Sequence, residues 1–230
     1  MKTKLLLLLL IPLFCFAQDP IVSYYSTDGA NYTVLNSDTP INQSAFGANV
    51  TWDFNQLTAI GSSIDSQLIP TANEIISYPN TTSVSKNVAT VENVITTSFV
   101  YTKNVGNVVS VTAAKGNNLD LNFKTDNATI GTFPMNYNYT FTDAVAGTYV
   151  YSTYSGTFSG TVATTIDAYG TLNMNVDGIA SSYPVTRFKS VQNIILNNGV
   201  LTNIGTVNQT TYAYYSTAVG ESPVFRTNTY

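Results

Sequence analysis

The sequence predicts an all-β protein, an antiparallel meander folded into a sandwich or a strongly curved, partly open barrel-like sheet. Three observations carry that expectation. Thr, Asn and Ser dominate the polar residues and Tyr the aromatics, a composition suited to pleated, half-buried surfaces. Short stretches alternate in hydrophobicity with period two, and residues that tolerate positive φ stand between them. Long runs of helix formers are missing.

In chain order, Met1 to Ala17 reads as a secretory signal peptide. Lys2 and Lys4 form its positive region, Leu5 to Phe16 its apolar run, and Cys15-Phe16-Ala17 its cleavage signal. The apolar run is shorter than the roughly 20 residues that span a bilayer. The mature chain is therefore expected to start at Gln18 and to form one domain over residues 18–230. Cys15 as a lipid-attachment site is disfavoured, because Pro12-Leu13-Phe14 lacks the small residue and the upstream Leu of such sites.

Further on, Gln56 to Leu68 sets Leu57, Ile60 and Ile64 at helical spacing, but Gly61-Ser62-Ser63 argues for a turn or loop that packs Leu57 inward. Strands are predicted within Val91–Tyr101, Val105–Val111, Leu119–Phe123, Tyr149–Ile166, Leu172–Val176, Val185–Ile195 and Val207–Tyr215. Lys115-Gly116-Asn117-Asn118, Asp177-Gly178 and Asn197-Asn198-Gly199 supply turns, with Asp177-Gly178 the clearest hairpin signal. No linker or fixed-period repeat divides the chain.

Composition then excludes chemistries. Among 230 residues there is no histidine, so Ser-His-Asp hydrolysis, His-ligated zinc and His-based proton transfer are unavailable. The single cysteine, Cys15, leaves with the signal peptide, and with it go thiol nucleophiles, disulfides and iron–sulfur ligation. Charged residues are 10% of the chain and the net charge is −4, becoming more acidic once Lys2 and Lys4 are removed, so no nucleic-acid partner is expected. No cofactor is expected and no transmembrane segment after cleavage. Most acids neighbour Gly, Asn or Thr, as turn residues do. Asp167 is expected to end a strand whose alternation puts Phe158, Val162, Thr164 and Ile166 on one face. Asp120 with Asp126 and Asn127, in a segment rich in carbonyl and amide oxygens, is a candidate Ca²⁺ loop, against the plainer reading of a polar hairpin turn.

Four tyrosines are candidate ligand-stacking residues. Tyr149 and Tyr151 share one side of a strand, and Tyr212 and Tyr214 one side of another, so two pairs on facing strands would make a platform for sugar rings. The competing reading is cross-strand packing. Trp52, flanked by alternating apolar residues, is a candidate core anchor. Arg187 alternates with Val185; if that face turns inward the guanidinium needs an acid, and Asp167 is the candidate partner in a structural ion pair.

Several segments together resemble the N-terminal domains of secreted Bacteroidota proteins that carry a C-terminal type IX secretion sorting domain. Gly47-Ala48-Asn49-Val50-Thr51-Trp52-Asp53-Phe54-Asn55-Gln56-Leu57 is similar to that group's G-x-N-x-T-W-D-F-S-x-L. Phe133-Pro134-Met135-Asn136-Tyr137, Phe141-Thr142-Asp143 and Gly147-Thr148-Tyr149 resemble its Y-P-[LFM]-x-Y, F-T-D and G-T-Y. Asp167-Ala168-Tyr169-Gly170-Thr171-Leu172 resembles D-G-Y-G-T-L, Arg187-Phe188-Lys189 falls at L-R-V-K, and Tyr212-Ala213-Tyr214-Tyr215 with Pro223-Val224 at Y-x-W-Y and P-L. Ala168, Thr186 and Tyr214 depart from the pattern, and the given sequence shows no sorting domain after Tyr230. The resemblance implies an exported all-β domain, on the cell surface, outside the cell or in the periplasm, and carries over no catalytic residues. The expected function is a non-enzymatic binding or structural module with a glycan or another cell-surface component as partner. A carbohydrate-active enzyme using two carboxylates, and a lipid-like ligand carrier with a curved-sheet cavity, are the rival expectations.

Overall fold

The computed structural model describes residues 18–230; the segment read as a signal peptide lies outside them. Twelve strands and one short helix follow in order. The first part holds β1 (Ala30–Ser37), β2 (Gly47–Leu68), α1 (Ala72–Ser77), β3 (Ser83–Val91), β4 (Val94–Val105), β5 (Val108–Gly116) and β6 (Leu119–Asp126). After it come β7 (Ala128–Thr132), β8 (Thr140–Tyr151), β9 (Tyr154–Val176), β10 (Ile179–Asn198), β11 (Leu201–Tyr215) and β12 (Pro223–Thr229).

All twelve strands join one sheet in the order β1-β2-β3-β4-β5-β6-β8-β9-β10-β11-β12, with β7 added to β5. Neighbours are antiparallel, as hairpin connections require. One pair differs: the first half of β2 runs parallel to the second half of β9, Val50 opposite Gly170 and Trp52 opposite Leu172. That contact closes a ring of hydrogen bonds through β2, β3, β4, β5, β6, β8 and β9. The fold is all-β, a strongly curved sheet closed on itself without becoming a regular barrel.

Turn chemistry accounts for the meander. Glu92-Asn93, Gly106-Asn107, Asn117-Asn118 and Asp177-Gly178 have positive φ at both central residues, the geometry whose twist matches that of the flanking strands. Three sequence stretches expected to be single strands, Val91–Tyr101, Val105–Val111 and Tyr149–Ile166, each contain a two-residue turn. A two-residue turn pairs positions three apart, so the buried parity flips, from Tyr149 before Ser152-Thr153 to Phe158 after it. Runs of Thr, Ser and Tyr hide that flip in the sequence.

Gln56–Leu68 is strand rather than turn or loop, paired with β1 on one stretch and β3 on another. Leu57 does pack inward, but Ile60 and Ile64 of the helix-like spacing stay exposed. Gly61 belongs in that strand because a Cβ there would collide with the Thr90 carbonyl of β3. The helix that does form is α1, set by Thr71, whose hydroxyl accepts from the Glu74 N–H while the Glu74 carboxylate accepts from the Thr71 N–H.

Asp167 does not end a strand. It is the extra residue of a β-bulge: Ile166 opposes Phe188, Ala168 opposes Arg187, and Asp167 has no partner across the ladder. The bulge exchanges the two faces of β9. Before it, Phe158, Val162 and Ile166 enter a core with Phe123, Phe188 and Ile194. After it, Ala168, Leu172 and Met174 enter a second core with Trp52, Phe54, Val185, Tyr214 and Phe225. A third, smaller cluster holds Tyr78, Val84, Tyr101 and Ala113 beside α1.

Candidate functional site

The second core contains a buried charge. Arg187 is 1% exposed; its Nε donates to Asp167 Oδ1 at 2.8 Å, Nη2 to Oδ2 at 3.0 Å, and Nη1 to the Gln43 carbonyl at 2.8 Å. Asp167, the unpaired residue of the bulge, carries its carboxylate to the guanidinium of Arg187, whose ladder partner is Ala168. The Trp52 and Tyr212 rings flank Arg187, with centroids 5.1 Å and 4.8 Å from its Cζ. Tyr214 meets Trp52 edge to face, and burial pushes its phenol up to about 12. Desolvation works against the Arg187 charge, but the bonds to Asp167 outweigh it and hold the pKa above its ordinary value. This cluster is a structural hub in which Trp52 is the largest buried side chain.

The four tyrosines do not share a surface. Tyr149 belongs to the first core and Tyr214 to the second, at 3% and 0% exposure. Tyr212 lies against Arg187 and Lys189, and only Tyr151 is exposed. The sugar platform expected from strand spacing is therefore not assembled; two of its rings are packing layers.

The acids are dispersed into separate local roles. Asp53 accepts from Asn173, Asp143 from the Thr129 N–H and Asp177 from the Ala59 N–H. Glu74 and Asp120 each accept from one of the Tyr101 and Tyr78 phenols, whose rings stand 4.3 Å apart. Burial, reinforced by these carboxylates, pushes Tyr101 up to about 12 and Tyr78 higher, so both remain neutral donors. Asp120 and Asp126 are six residues apart on a strand, roughly 20 Å, too far to ligate one ion. Asn127 turns its amide to the Phe123 carbonyl. Among the described residues no three His, Cys, Asp or Glu side chains gather as a metal site, and no helix is long and apolar enough to cross a membrane.

The space available to a ligand lies elsewhere, inside the curve of the sheet. A cleft of about 730 Å³ runs between β4 and β5 on one side and β10 and β11 on the other. Its floor is first-core surface: Leu121, Phe123, Ala128, Ile130 and Val162. Its volume falls within the range of small-molecule sites. Along the inward row of β10, buried Phe188 and Ile194 are interrupted by Ser190 and Gln192, opposite Thr211 and Gln209 of β11. A row that alternates correctly for a core but carries polar side chains in its middle is the sequence trace of this cleft. Thr96 and Ser98 of β4 supply further hydroxyls. One end of the cleft reaches the hairpin tips at Asn117, Leu119 and Tyr151, and the other reaches Tyr24 and Tyr230.

Beyond Tyr24 lies a smaller chamber of about 260 Å³. Its charged pair is Arg226 of β12 and Asp65 of β2, bonded through Nη1 to Oδ2 at 2.7 Å and Nη2 to Oδ1 at 3.0 Å. The guanidinium lies 4.6 Å from the Tyr32 ring, and the Asn87 amide donates to Asp65 Oδ1 and Ser63 Oγ. Burial opposes the Arg226 charge while Asp65 outweighs it, so its pKa is raised; burial likewise raises Tyr24, Tyr25 and Tyr215. Neither Arg226 nor Asp65 stood out in the sequence. A signal was present, because the chain has only two arginines and the scarcity that drew attention to Arg187 applies equally to Arg226.

Neither a family, a curated protein nor a solved structure matches the chain.

Proposed function

We propose that this chain is an exported, non-enzymatic binding protein whose cleft takes an amphiphilic small molecule, with the ligand's apolar part over the Phe123 and Ile130 floor and its polar part along the Ser190, Gln192, Gln209 and Thr211 strip. The observation that carries this reading is the cleft itself, an opening of about 730 Å³ in the first core with polar side chains on positions that alternation assigns to the interior. Gln209 and Thr211 bond each other and Asn228, and Ser190 and Gln192 beside them turn polar groups toward the cleft. A ligand that is apolar on one side and hydrogen-bonding on the other satisfies both surfaces. Export is supported by the Met1–Ala17 pattern and by the resemblance to secreted domains. The dispersal of the acids into caps, turns and ion pairs favours binding over carboxylate-pair hydrolysis, whose two acids must face one bond.

The test is a fluorescence titration of the mature protein with N-phenyl-1-naphthylamine, which brightens in apolar sites. Saturable one-to-one binding is expected, lost in Val207→Trp, where an indole fills the cleft from half-buried Val207. Unsaturable binding, or binding unchanged in a folded Val207→Trp, would refute the cleft as the site.

A further inference from the structure

We infer that the chamber beside the cleft is the head-group subsite of that amphiphile and selects a neutral, hydroxyl-rich head, a sugar or a glycerol, over a carboxylate or phosphate. The inference rests on the cleft reading above and adds the ligand's chemical class.

Continuity comes first. Tyr24, Ser98, Val100, Gln209, Thr211 and Tyr230 line both spaces, so a molecule lying on the apolar floor reaches the chamber past Tyr24 without crossing a strand. Size follows: about 260 Å³ accommodates one sugar ring or a glycerol but not a second acyl chain.

Charge then decides the class. The charged side chains lining the chamber are Arg226 and Asp65, and they neutralise each other through two bonds. An anionic head approaching Arg226 would meet the Asp65 carboxylate, and a cationic head approaching Asp65 would meet the guanidinium; each would forfeit the pair already made. A hydroxyl does neither, because it can donate to a carboxylate lone pair and accept from an N–H in the same position.

The surrounding groups fit such a head. Ser85 Oγ is buried with no partner among the described residues, and Ser85 lines the chamber. Asn87 spends its N–H donors on Ser63 and Asp65 and leaves its amide oxygen to accept. Tyr24 and Tyr25, 4.4 Å apart, offer ring faces and phenols at the same wall, and burial keeps both phenols protonated. Aromatic faces for ring C–H groups together with paired donors and acceptors for hydroxyls are the requirements of a neutral polyol head.

The experiment uses two probes of one chain length, decyl β-glucoside and decanoate, each titrated calorimetrically below its micelle concentration into the mature protein. The glucoside should bind about tenfold more tightly than decanoate, the discrimination expected of a few buried polar contacts. Asn87→Ala and Ser85→Ala should each weaken the glucoside by about three- to tenfold while leaving decanoate within about twofold. Equal affinities for the two heads, or equal losses for both in the variants, would overturn the subsite and leave the cleft standing. Failure of both probes to bind the folded wild-type protein would overturn both.

Discussion

Replacing Arg187 by Met tests the central claim about the second core, that one buried guanidinium ties three segments together. The side chain is 1% exposed and makes two bonds to Asp167 and one to the Gln43 carbonyl. Methionine keeps much of the volume against Trp52 and Tyr212 but strands the Asp167 carboxylate and leaves the Gln43 oxygen unpaired. Removing one partner of a buried pair costs about 3–5 kcal/mol. Asp167 retains 20% side-chain exposure, so water recovers part of this and the lower end, about 3 kcal/mol, applies. In a domain of this size each 1 kcal/mol moves the melting temperature by about 2–4 °C, which gives a drop of about 6–12 °C. Circular dichroism on the mature chain measures it. The only tryptophan, Trp52, sits beside the substituted position, and its emission should shift to longer wavelength well below the melting transition. Adding Asp167→Asn removes the stranded charge and should recover part of the loss. A melting temperature within about 2 °C of wild type, or a double variant no more stable than Arg187→Met, would refute the reasoning.

Two further predictions follow from the packing. Tyr101 and Tyr214 have folded-state pKa values near 12, and those of Tyr24, Tyr25, Tyr78 and Tyr215 are also raised, against about 10 in an unfolded chain. Because the folded state holds these protons more tightly, the associated stability is fully present below about pH 10 and is lost as pH rises toward 12. Absorbance at the tyrosinate band should show these buried phenols ionising only with unfolding; their ionisation while circular dichroism still reports folded protein would contradict this. Gly170→Ala places a Cβ against the Val50 carbonyl where β2 and β9 run parallel. It should destabilise by about 1–3 kcal/mol in urea unfolding, the usual cost of overpacking, whereas Gly205 of β11, with only a Leu196 methyl near its Cβ position, should tolerate Ala with a far smaller change.

How much of this could be read in advance depended on the range of the interaction. Strand identity and hairpin turns are local: Asp177-Gly178 needs only its own φ preferences, and β9 and β10 leave from it as the residues suggest. The ion pair of Arg187 with Asp167 was accessible because a scarce charge on an apolar face demands a partner. The bulge that delivers Asp167 was not, since one unpaired residue inside a long alternating run changes nothing in composition or period. Nor was the parallel β2–β9 contact, which joins residues more than a hundred positions apart. The capping box at Thr71 and Glu74 was legible and outweighs the absence of a helical run, because six residues suffice once both ends of the first turn are bonded.

The cleft follows from the same long-range features. With the bulge, β9 and β10 must bury side chains on both faces of one sheet, Phe188 and Ile194 toward the first core and Val185 and Arg187 toward the second. β2 closes the ring by lying along only the second half of β9, over the second core, where Trp52, Phe54 and Leu57 fill the space completely enough to hold a guanidinium dry. Against the first half packs the five-residue β7, and the span from β4 to β11 carries the cleft. A span packed like the rest of the first core would carry large apolar side chains at positions 190, 192, 209 and 211, as their neighbours Phe188 and Ile194 do. They carry Ser, Gln, Gln and Thr. Substituting Gln192 and Gln209 together by Leu should therefore raise the melting temperature, as the walls gain apolar contact, while weakening the naphthylamine's hydrogen-bonding competitors such as decyl β-glucoside; a double variant that is both less stable and unchanged in glucoside affinity would show that the polar strip serves the fold and not a ligand.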